Sequence, residues 1–411
     1  MKILHVCTSD FTGGAARAAY RLHRGLRNIG VDSWMLVQDK KTDDPFVIGP
    51  KTVLEKGIAM VRMGIDPILL NVLYRSREKT PWSFSWLPDR YHKKINLLNP
   101  DIVNLHWFNA GFLNIKTLKK IDSKLVWTLH DMWAFTGGCH YAGDCEDYKI
   151  QCERCPQLNC KSRRDLSYYG FRQKRSVYKS VDLNLVALSR WMKDCVDKSA
   201  LLSKAPITLI PNGIDTGVFK PIKRDFAREV LNIPEGYKII LFGAMNSTSD
   251  VRKGYKYLKE ALELLSNKKE ELLLLVFGAS QDKEIEKLPF QTRFLGRIYD
   301  DYTLSLIYSS ADVFVAPSIE DNLPNTVMEA SACGVPSVAF DVGGLPDMIS
   351  HKSTGYLAKP FLIKDLAEGI SFCISKREML GENARLKVQN SFAEEIQARR
   401  YKELYEKILT Q

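Results

Sequence analysis

Along the chain, short runs dense in apolar residues alternate with longer stretches whose apolar positions recur every three or four residues. The short runs read as strands: "KILHVC", "DSWMLVQ", "DIVNLHW", "KLVWTLH", "NLVALS" and "ITLIP" in the first half, then "KIILFGA", "LLLLVFG", "TRFLG", "DVFVAPS" and "PSVAFD". Helical spacing falls between several of them, most clearly over residues 14–29 and 254–266, and helices run from the last strand to the end. This alternation predicts parallel sheets with helices on both faces. "PNGIDTGVFKP" (211–221) is rich in turn residues and reads as a connector, after which the pattern restarts. The predicted fold class is α/β, with two doubly wound, Rossmann-like units. In such sheets ligands sit beyond the carboxyl ends of the strands, so chemistry is sought just after each strand.

A chain of 411 residues is too long for one ordinary core, which agrees with two domains. The best candidate for a bilayer span, "GIAMVRMGIDPILLNVLY" (57–74), is broken by Arg62, Asp66 and Pro67. The apolar run in "MKILHVCTSDF" is too brief for a signal peptide, so a cytoplasmic chain is expected. The net charge of +11 favours anionic partners: nucleotides, nucleic acid or an acidic membrane surface. Residues 161–180 concentrate it, with seven basic residues against one acid and aromatics between them. That run fits a solvated helix face, a membrane-surface contact or a nucleic-acid contact.

Two loops suit a phosphate. The first strand runs into "TSDFTGGAARAAYRL", where Gly13 and Gly14 let the backbone turn tightly and the following helix, from about Ala15, points its amides at a ligand. The third glycine of the dinucleotide fingerprint is missing. In the second unit, Arg252 and Lys253 precede Gly254 and a helix. Cations at a helix start oppose the macrodipole, which a phosphate would compensate.

After the strand "DVFVAPS" comes "SIEDNLPNTVMEASACGVP" (318–336). Asn325 is expected as the N-cap of a helix stopped by Gly334 and Pro336. Glu329 then falls in its first or second turn, where a carboxylate can bind a diol such as ribose, while Asp321 on the loop can accept from a sugar. The alternative is structural: Glu329 favours the helix dipole and Asp321 is a turn acid. Five cysteines cluster in "GGCHYAGDCEDYKIQCERCPQLNC"; Cys139, Cys145, Cys152 and Cys155 fit a structural zinc site, with free thiols or disulfides as the alternatives. Cys7 and Cys333 lie on apolar patterns and read as core fillers.

The segment "SIEDNLPNTVMEASACGVPSVAFDVGGLPDMISHKSTGYLAKP" resembles the donor-site signature of the retaining glycosyltransferases of family 4. "GGAARAAYRLHRGL", "VWTLHDMW", "ALSRWM", "LIPNGIDTGVF", "RKGYKYL" and "FLGRIYDD" follow in the order of that family, so the resemblance covers nearly the whole chain. In detail it is similar to members that build exopolysaccharide, capsule or colanic-acid-type repeats. The resemblance implies the GT-B fold, two facing Rossmann-like domains with an interdomain cleft. Residues 1–215 would form the acceptor-side domain, with a Cys-rich insertion at 137–160, and 216–392 the nucleotide-sugar domain. Residues 393–411 would form a helix packing back on the first domain.

It also implies roles. Asp321 and Glu329 fit the family's paired acids, with aspartate where glutamate is usual. Glu329 would take the ribose and Asp321 the sugar, and the loop at Asn322, Leu323, Pro324 and Asn325 would embrace sugar and phosphate. Lys253 matches the diphosphate lysine. The arginine that usually precedes it is absent from "AMNSTSD", so Arg252 is the candidate replacement. Arg297 would frame the base, and His130 would lie near the donor sugar as a catalytic group with Asp131 orienting it or its loop. The donor would be a UDP- or GDP-sugar and the acceptor a glycan or polyprenyl-linked hydroxyl. Membrane contact would run through Arg62, Arg75, Arg77 and 161–180, with no nucleic acid bound.

The implied reaction breaks the sugar–phosphate bond and attacks from the same face, retaining the anomer without a protein nucleophile. No Asp-x-Asp motif stands at a suitable strand end, so no catalytic divalent ion is expected. The rival readings are an epimerase or phosphorylase on the same fold, or a zinc-dependent nucleic-acid binder.

Overall fold

The computed structural model describes residues 1–243, 250–266, 271–278 and 291–411. By compactness it divides into two units, Met1–Pro211 with Gln397–Gln411, and Asn212–Ile396.

The first unit is built on seven strands: β1 (Lys2–Ser9), β2 (Asp32–Asp39), β3 (Val47–Ile48), β4 (Ile102–Leu105), β5 (Lys124–Leu129), β6 (Leu183–Ala187) and β7 (Ile207–Leu209). Their order is β3-β2-β1-β4-β5-β6-β7, with every neighbouring pair parallel. The sheet is wound outward in both directions from β1 and β4, which makes their carboxyl ends the switch point where a doubly wound sheet binds ligands. Register places His5 opposite Asn104 and Leu105 opposite Trp127. β1 is buried over nearly its whole length, as a central parallel strand covered on both faces must be. The last helix, Glu394–Leu409, presents Ala398, Tyr401, Tyr405 and Ile408 to Ile3, Ile102, Val126 and Val186 of this sheet. Its two buried tyrosine hydroxyls are satisfied: Asn104 Nδ2 donates to Tyr405 at 2.7 Å, and Tyr401 meets Thr128 Oγ1 at 2.9 Å.

The second unit repeats the plan with β8 (Lys238–Gly243), β9 (Leu272–Phe277), β10 (Gln291–Gly296), β11 (Val313–Ala316), β12 (Ser337–Phe340) and β13 (Gly355–Ala358), in the order β10-β9-β8-β11-β12-β13. All these pairs are parallel too, and the switch point lies at the ends of β8 and β11. Each of the eleven runs read from sequence contains a strand. β3 and β13 were not anticipated: one has two residues, and the other, "GYLA", opens on a glycine and has no β-branched residue to mark it. No helix among the described residues is long and apolar enough to cross a membrane.

Candidate functional site

At the β8/β11 edge of the second unit, the chain after β8 re-enters the described residues at Asp250; most of "AMNSTSD" lies outside them. Asp250 caps a tight 3-10 turn, Val251–Lys253, by accepting from Arg252 N–H at 3.1 Å. Gly254 follows in the left-handed region at φ 69° and starts the helix Tyr255–Leu264. A Cβ there would lie 1.8 Å from the Pro317 carbonyl oxygen, so only glycine lets this turn close on the loop after β11. Ile319 N–H donates to the Arg252 carbonyl at 2.9 Å, fastening the two loops. On the opposite side Gly343, at φ 57°, would bring a Cβ within 2.1 Å of the Asp321 carbonyl oxygen, which accepts from Gly344 N–H at 2.9 Å. The loop carrying Asp321 is thus gripped between two glycine turns.

Lys253 Nζ lies 2.7 Å from Asp321 Oδ2, with both side chains largely buried. Arg252 Nη2 lies 2.7 Å from Asp250 Oδ2. These pairs correct the electrostatic reading made from sequence. The two cations do not stand uncompensated at a helix start; they close a 3-10 turn, and two of the chain's own acids meet them. The structure brings Lys253 and Asp321 together as one ion pair, whereas Arg252 is turned to Asp250.

The helix after Asp321 runs Asn325–Ala332, with Pro324 rather than Asn325 at the N-cap position. Proline fits there because that position's own N–H lies outside the helical ladder. Asn325 instead opens the helix, and its Oδ1 lies 3.4 Å from Asn212 Nδ2. Asn322 and Leu323, on the loop itself, are buried. Arg385 holds the far end, donating to the carbonyls of Ala332 at 2.8 Å and Phe219 at 2.6 Å. Glu329 is 3% exposed, and its Oε2 accepts from Tyr308 OH at 2.9 Å. Sequence reasoning missed Tyr308. It sits among apolar positions of the helix Asp301–Ser310, and the usable signal was that a buried phenol needs a polar partner. Arg297 is exposed just past β10, the edge strand, two strands from β8.

The β1/β4 edge of the first unit has a different chemistry. Gly13, at φ 104° and ψ 159°, is the N-cap of the helix Gly14–Asn28, whose first turn holds no acid. Such a backbone conformation favours glycine and leaves the helix start without a capping side chain. His130 follows β5 directly and is hydrogen-bonded through Nε2 to His106 Nδ1 at 2.9 Å; His106 follows β4. His106 Nε2 in turn meets His5 Nδ1 at 3.0 Å. Burial pushes the His130 imidazole down to about 4, against the pull of Asp131, so it is neutral near pH 7. His5 and His106 are pushed well down as well, by burial first and by neighbouring imidazoles second.

Asp131 orients the loop rather than His130. It caps the turn Met132–Phe135 by accepting from Trp133 N–H at 2.9 Å, and its Oδ2 lies 2.6 Å from His140 Nδ1. Burial raises this carboxyl, but His140 and the Trp133 N–H outweigh it and hold it below the usual carboxylate range.

The zinc expectation is corrected. All nine cysteines are free, and among the described residues no group of three or more His, Cys, Asp or Glu is placed to hold a metal ion. Cys139 and Cys155 pack with Leu70, Trp82, Leu158 and Leu166, while Cys152 joins the main core of the unit. Burial lifts Cys152 to about 12 and Cys155 to about 11. Cys7 and Cys333 are buried as well. The basic run is also less open than its composition implied: Lys174 is buried, donating to the carbonyls of Trp133 and Thr136. Arg62 donates to Gly111 O at 2.8 Å and Pro88 O at 2.9 Å, and Arg77 to Glu78 O at 2.8 Å.

Two doubly wound sheets, each with polar chemistry at its carboxyl switch point, are the architecture of GT-B glycosyltransferases. Solved structures agree: sucrose-phosphate synthase of Thermosynechococcus elongatus superposes with a TM-score of 0.70 at 20% identity over 100% of both chains. Anabaena Alr3699/HepE in complex with UDP-glucose gives 0.64 at 16% identity, covering 99% of this chain and 100% of that one. Residues 12–218 match Glycosyltransferase Family 4, and residues 223–387 match Glycosyl transferases group 1. The chain belongs to glycosyltransferase family 4. Among its relatives is the protein of Escherichia coli (strain K12) that carries the name colanic acid biosynthesis glycosyl transferase WcaC, 26% identical over 367 residues, or 82% of this chain and 83% of that one.

Proposed function

We propose that this glycosyltransferase moves a sugar, with retention of its anomeric configuration, from a UDP- or GDP-sugar to a hydroxyl of a glycan or lipid-linked acceptor in bacterial surface polysaccharide synthesis. The observation that carries the reading is the second unit's switch-point edge. It gathers a Lys253–Asp321 pair, a helix start at Asn325 and a buried carboxylate at Glu329. In this reading Lys253 and the helix amides take the diphosphate, Glu329 the ribose diol and Asp321 a hydroxyl of the sugar. Arg252 supports the turn that presents Lys253, and Arg297 borders the base. For His130, Gly13 and Gly14 of the first unit, the reading keeps the roles that the family resemblance implies: hydrogen bonding to a sugar, and amides for developing negative charge. The bond from the anomeric carbon to phosphate oxygen breaks, the acceptor oxygen bonds that carbon on the same face, and its proton passes to the leaving phosphate. No step calls on a divalent ion. Incubation with a panel of UDP- and GDP-sugars and a lipid-linked glycan, with the product anomer read by NMR, tests this. One donor giving a retained linkage is expected; an inverted linkage, or no transfer from any donor, contradicts it.

The reading places the enzyme on the cytoplasmic side, at an acidic membrane surface, and two helices with exposed aliphatic residues support a lipid-facing element beside the one read from sequence. The helices Val53–Ile65 and Ile68–Leu73 expose Val53, Leu54, Ile58, Met60, Val61 and Val72, each more than half accessible. Lys51, Lys56, Arg75 and Lys79 are exposed around them. Aliphatic residues rimmed by cations suit acyl chains and anionic headgroups. Flotation with phosphatidylglycerol vesicles should carry the protein, and phosphatidylcholine vesicles should carry less. Leu54→Gln combined with Met60→Gln and Val61→Gln should lower the floated fraction. Equal flotation of native and triple variant removes this element from the reading.

A further inference from the structure

No step of sugar transfer uses the line of serine, histidine and aspartate that the first unit holds. Ser83 Oγ lies 2.9 Å from His140 Nε2, and His140 Nδ1 lies 2.6 Å from Asp131 Oδ2. Backbone contacts set the three segments against one another. Trp82 and Cys139 form an antiparallel bridge, with Ser83 N–H donating to Gly138 O at 2.9 Å and His140 N–H to Pro81 O at 3.3 Å. Met132 N–H donates to His140 O at 2.9 Å, and Trp133 Nε1–H to Ser83 O at 2.9 Å. The segments carrying Ser83, Asp131 and His140 are thus fastened to one another.

The contacts fix which imidazole nitrogen carries the hydrogen. Trp107 Nε1 also approaches His140 Nδ1, at 3.3 Å. A bare Nδ1 could accept from that indole, but it would then face a carboxylate oxygen at 2.6 Å with no hydrogen between them. Burial raises the Asp131 carboxyl, yet His140 and the Trp133 N–H outweigh it, so Asp131 is ionised near pH 7. Nδ1–H therefore donates to Asp131, and the bare Nε2 accepts from Ser83 Oγ–H. In that polarity an imidazole can take a serine's proton while an aspartate stabilises the imidazolium. Ser83 is partly exposed and His140 is 3% exposed, so a reagent can reach the serine while its base is shielded from water. Phe84 N–H, the next amide along the chain, has no hydrogen-bond partner among the described residues, and the amide after a nucleophile is one that can meet an oxyanion. A second serine–histidine contact in the same unit marks the difference. Ser33 Oγ lies 2.8 Å from His23 Nδ1, but Ser33 is 0% exposed and His23 Nε2 is 3.7 Å from Asp44, beyond hydrogen-bond range.

We propose that Ser83 is a nucleophile toward carboxylic esters, with His140 as its general base and Asp131 holding His140 in the required tautomer. Ser83 Oγ bonds to the ester carbonyl carbon while its proton passes to His140 Nε2. The bond from that carbon to the alcohol oxygen then breaks, and the leaving alcohol takes the proton from His140. Water attacks the acyl-Ser83 and gives a proton to His140. The carbon–Oγ bond breaks, the acid is released, and Ser83 Oγ recovers the proton. Neither this activity nor the sugar transfer proposed above depends on the other.

The test exposes the full chain at neutral pH to diisopropyl fluorophosphate and, separately, to p-nitrophenyl acetate. Peptide mass spectrometry should find the phosphoryl group on Ser83, with fluoride displaced, at a rate about 100-fold or more above that of the chain's other exposed serines, the scale of a positioned base. Release of p-nitrophenolate should exceed that of buffer, and Ser83→Ala should abolish the excess. Asp131→Asn keeps an oxygen to cap the turn at Trp133 but removes the charge behind His140. With native tryptophan fluorescence retained, it should slow labelling of Ser83 about 100-fold or more. Labelling of native Ser83 no faster than that of other exposed serines would overturn the proposal, and needs no variant to fold. Labelling equally fast in native chain and folded Asp131→Asn would overturn it too, leaving the three residues a structural clasp.

Discussion

The two switch-point edges share a topology and differ in what they are made of. The first sheet carries neutral imidazoles bonded to one another, His5 within β1 and His106 and His130 just past β4 and β5, whereas the second ends in ion pairs and a buried carboxylate. The same winding thus offers a neutral hydrogen-bonding wall in one unit and a charged one in the other. Charges that are already paired cost less to bring out of water when a diphosphate arrives, and a neutral donor costs less to desolvate beside a hydroxyl than an ion does. The two edges therefore suit different ligand chemistry, charged groups at the one and hydroxyls at the other.

If the contrast is real, acid should break the first unit. His5, His23, His106 and His130 all titrate below the ordinary histidine range in the folded chain, with His23 and His130 near 4 and burial the leading cause. The sign follows directly. Below about pH 6.5 the unfolded chain binds protons that the folded chain refuses, so stability falls as pH drops toward 4. Each histidine costs up to about 2 kcal/mol by pH 5. All seven tryptophans lie in the first unit, between Trp34 and Trp191, so tryptophan fluorescence reports on it alone. Urea unfolding followed this way should move to much lower urea at pH 5 than at pH 7; an unchanged midpoint would mean the imidazoles accept protons readily.

The ionic edge is tested by Lys253→Ala. Removing a cation that meets charge developing on the leaving group should lower kcat/KM about 100- to 1000-fold. Asp321→Asn, measured beside it and with the double variant, should show strong non-additivity, because each residue fixes the other. Additive losses would mean that the pair acts as two separate contacts.

A smaller effect is expected at Tyr308→Phe. Its hydroxyl donates to the buried Glu329, and losing it should cost about 1–3 kcal/mol of second-unit stability. Nucleotide-sugar binding should weaken in parallel, as the carboxylate loses the partner that aims it. Retained stability and binding would make the phenol dispensable.

How much of this was legible in the sequence follows from what each feature is made of. The strands were legible because central parallel strands are continuous apolar runs, and the Gly254 turn because a glycine before a helix is visible in a sequence; the Gly343 turn and the grip on Asp321 were not. Lys253, Asp321 and Glu329 could be picked out, but not their pairing, since ion pairs between loops depend on which strand ends are neighbours. His106 carried the same signal as His130, a histidine just after a strand, but only the order of the strands sets the two side by side. His5 lay hidden inside an apolar strand, where a polar residue asks for a partner that only the sheet order supplies. The cysteine spacing pointed to metal, yet spacing says nothing of the apolar neighbours among which those thiols pack.

The central claim is that the second unit's edge holds the nucleotide sugar through Glu329. Calorimetric titration of UDP- and GDP-sugars into the native protein and Glu329→Ala tests it most directly. The account predicts one preferred donor, bound more weakly by the variant by about 1–3 kcal/mol, the size of a lost buried hydrogen-bond partner. Equal binding by both proteins would contradict it.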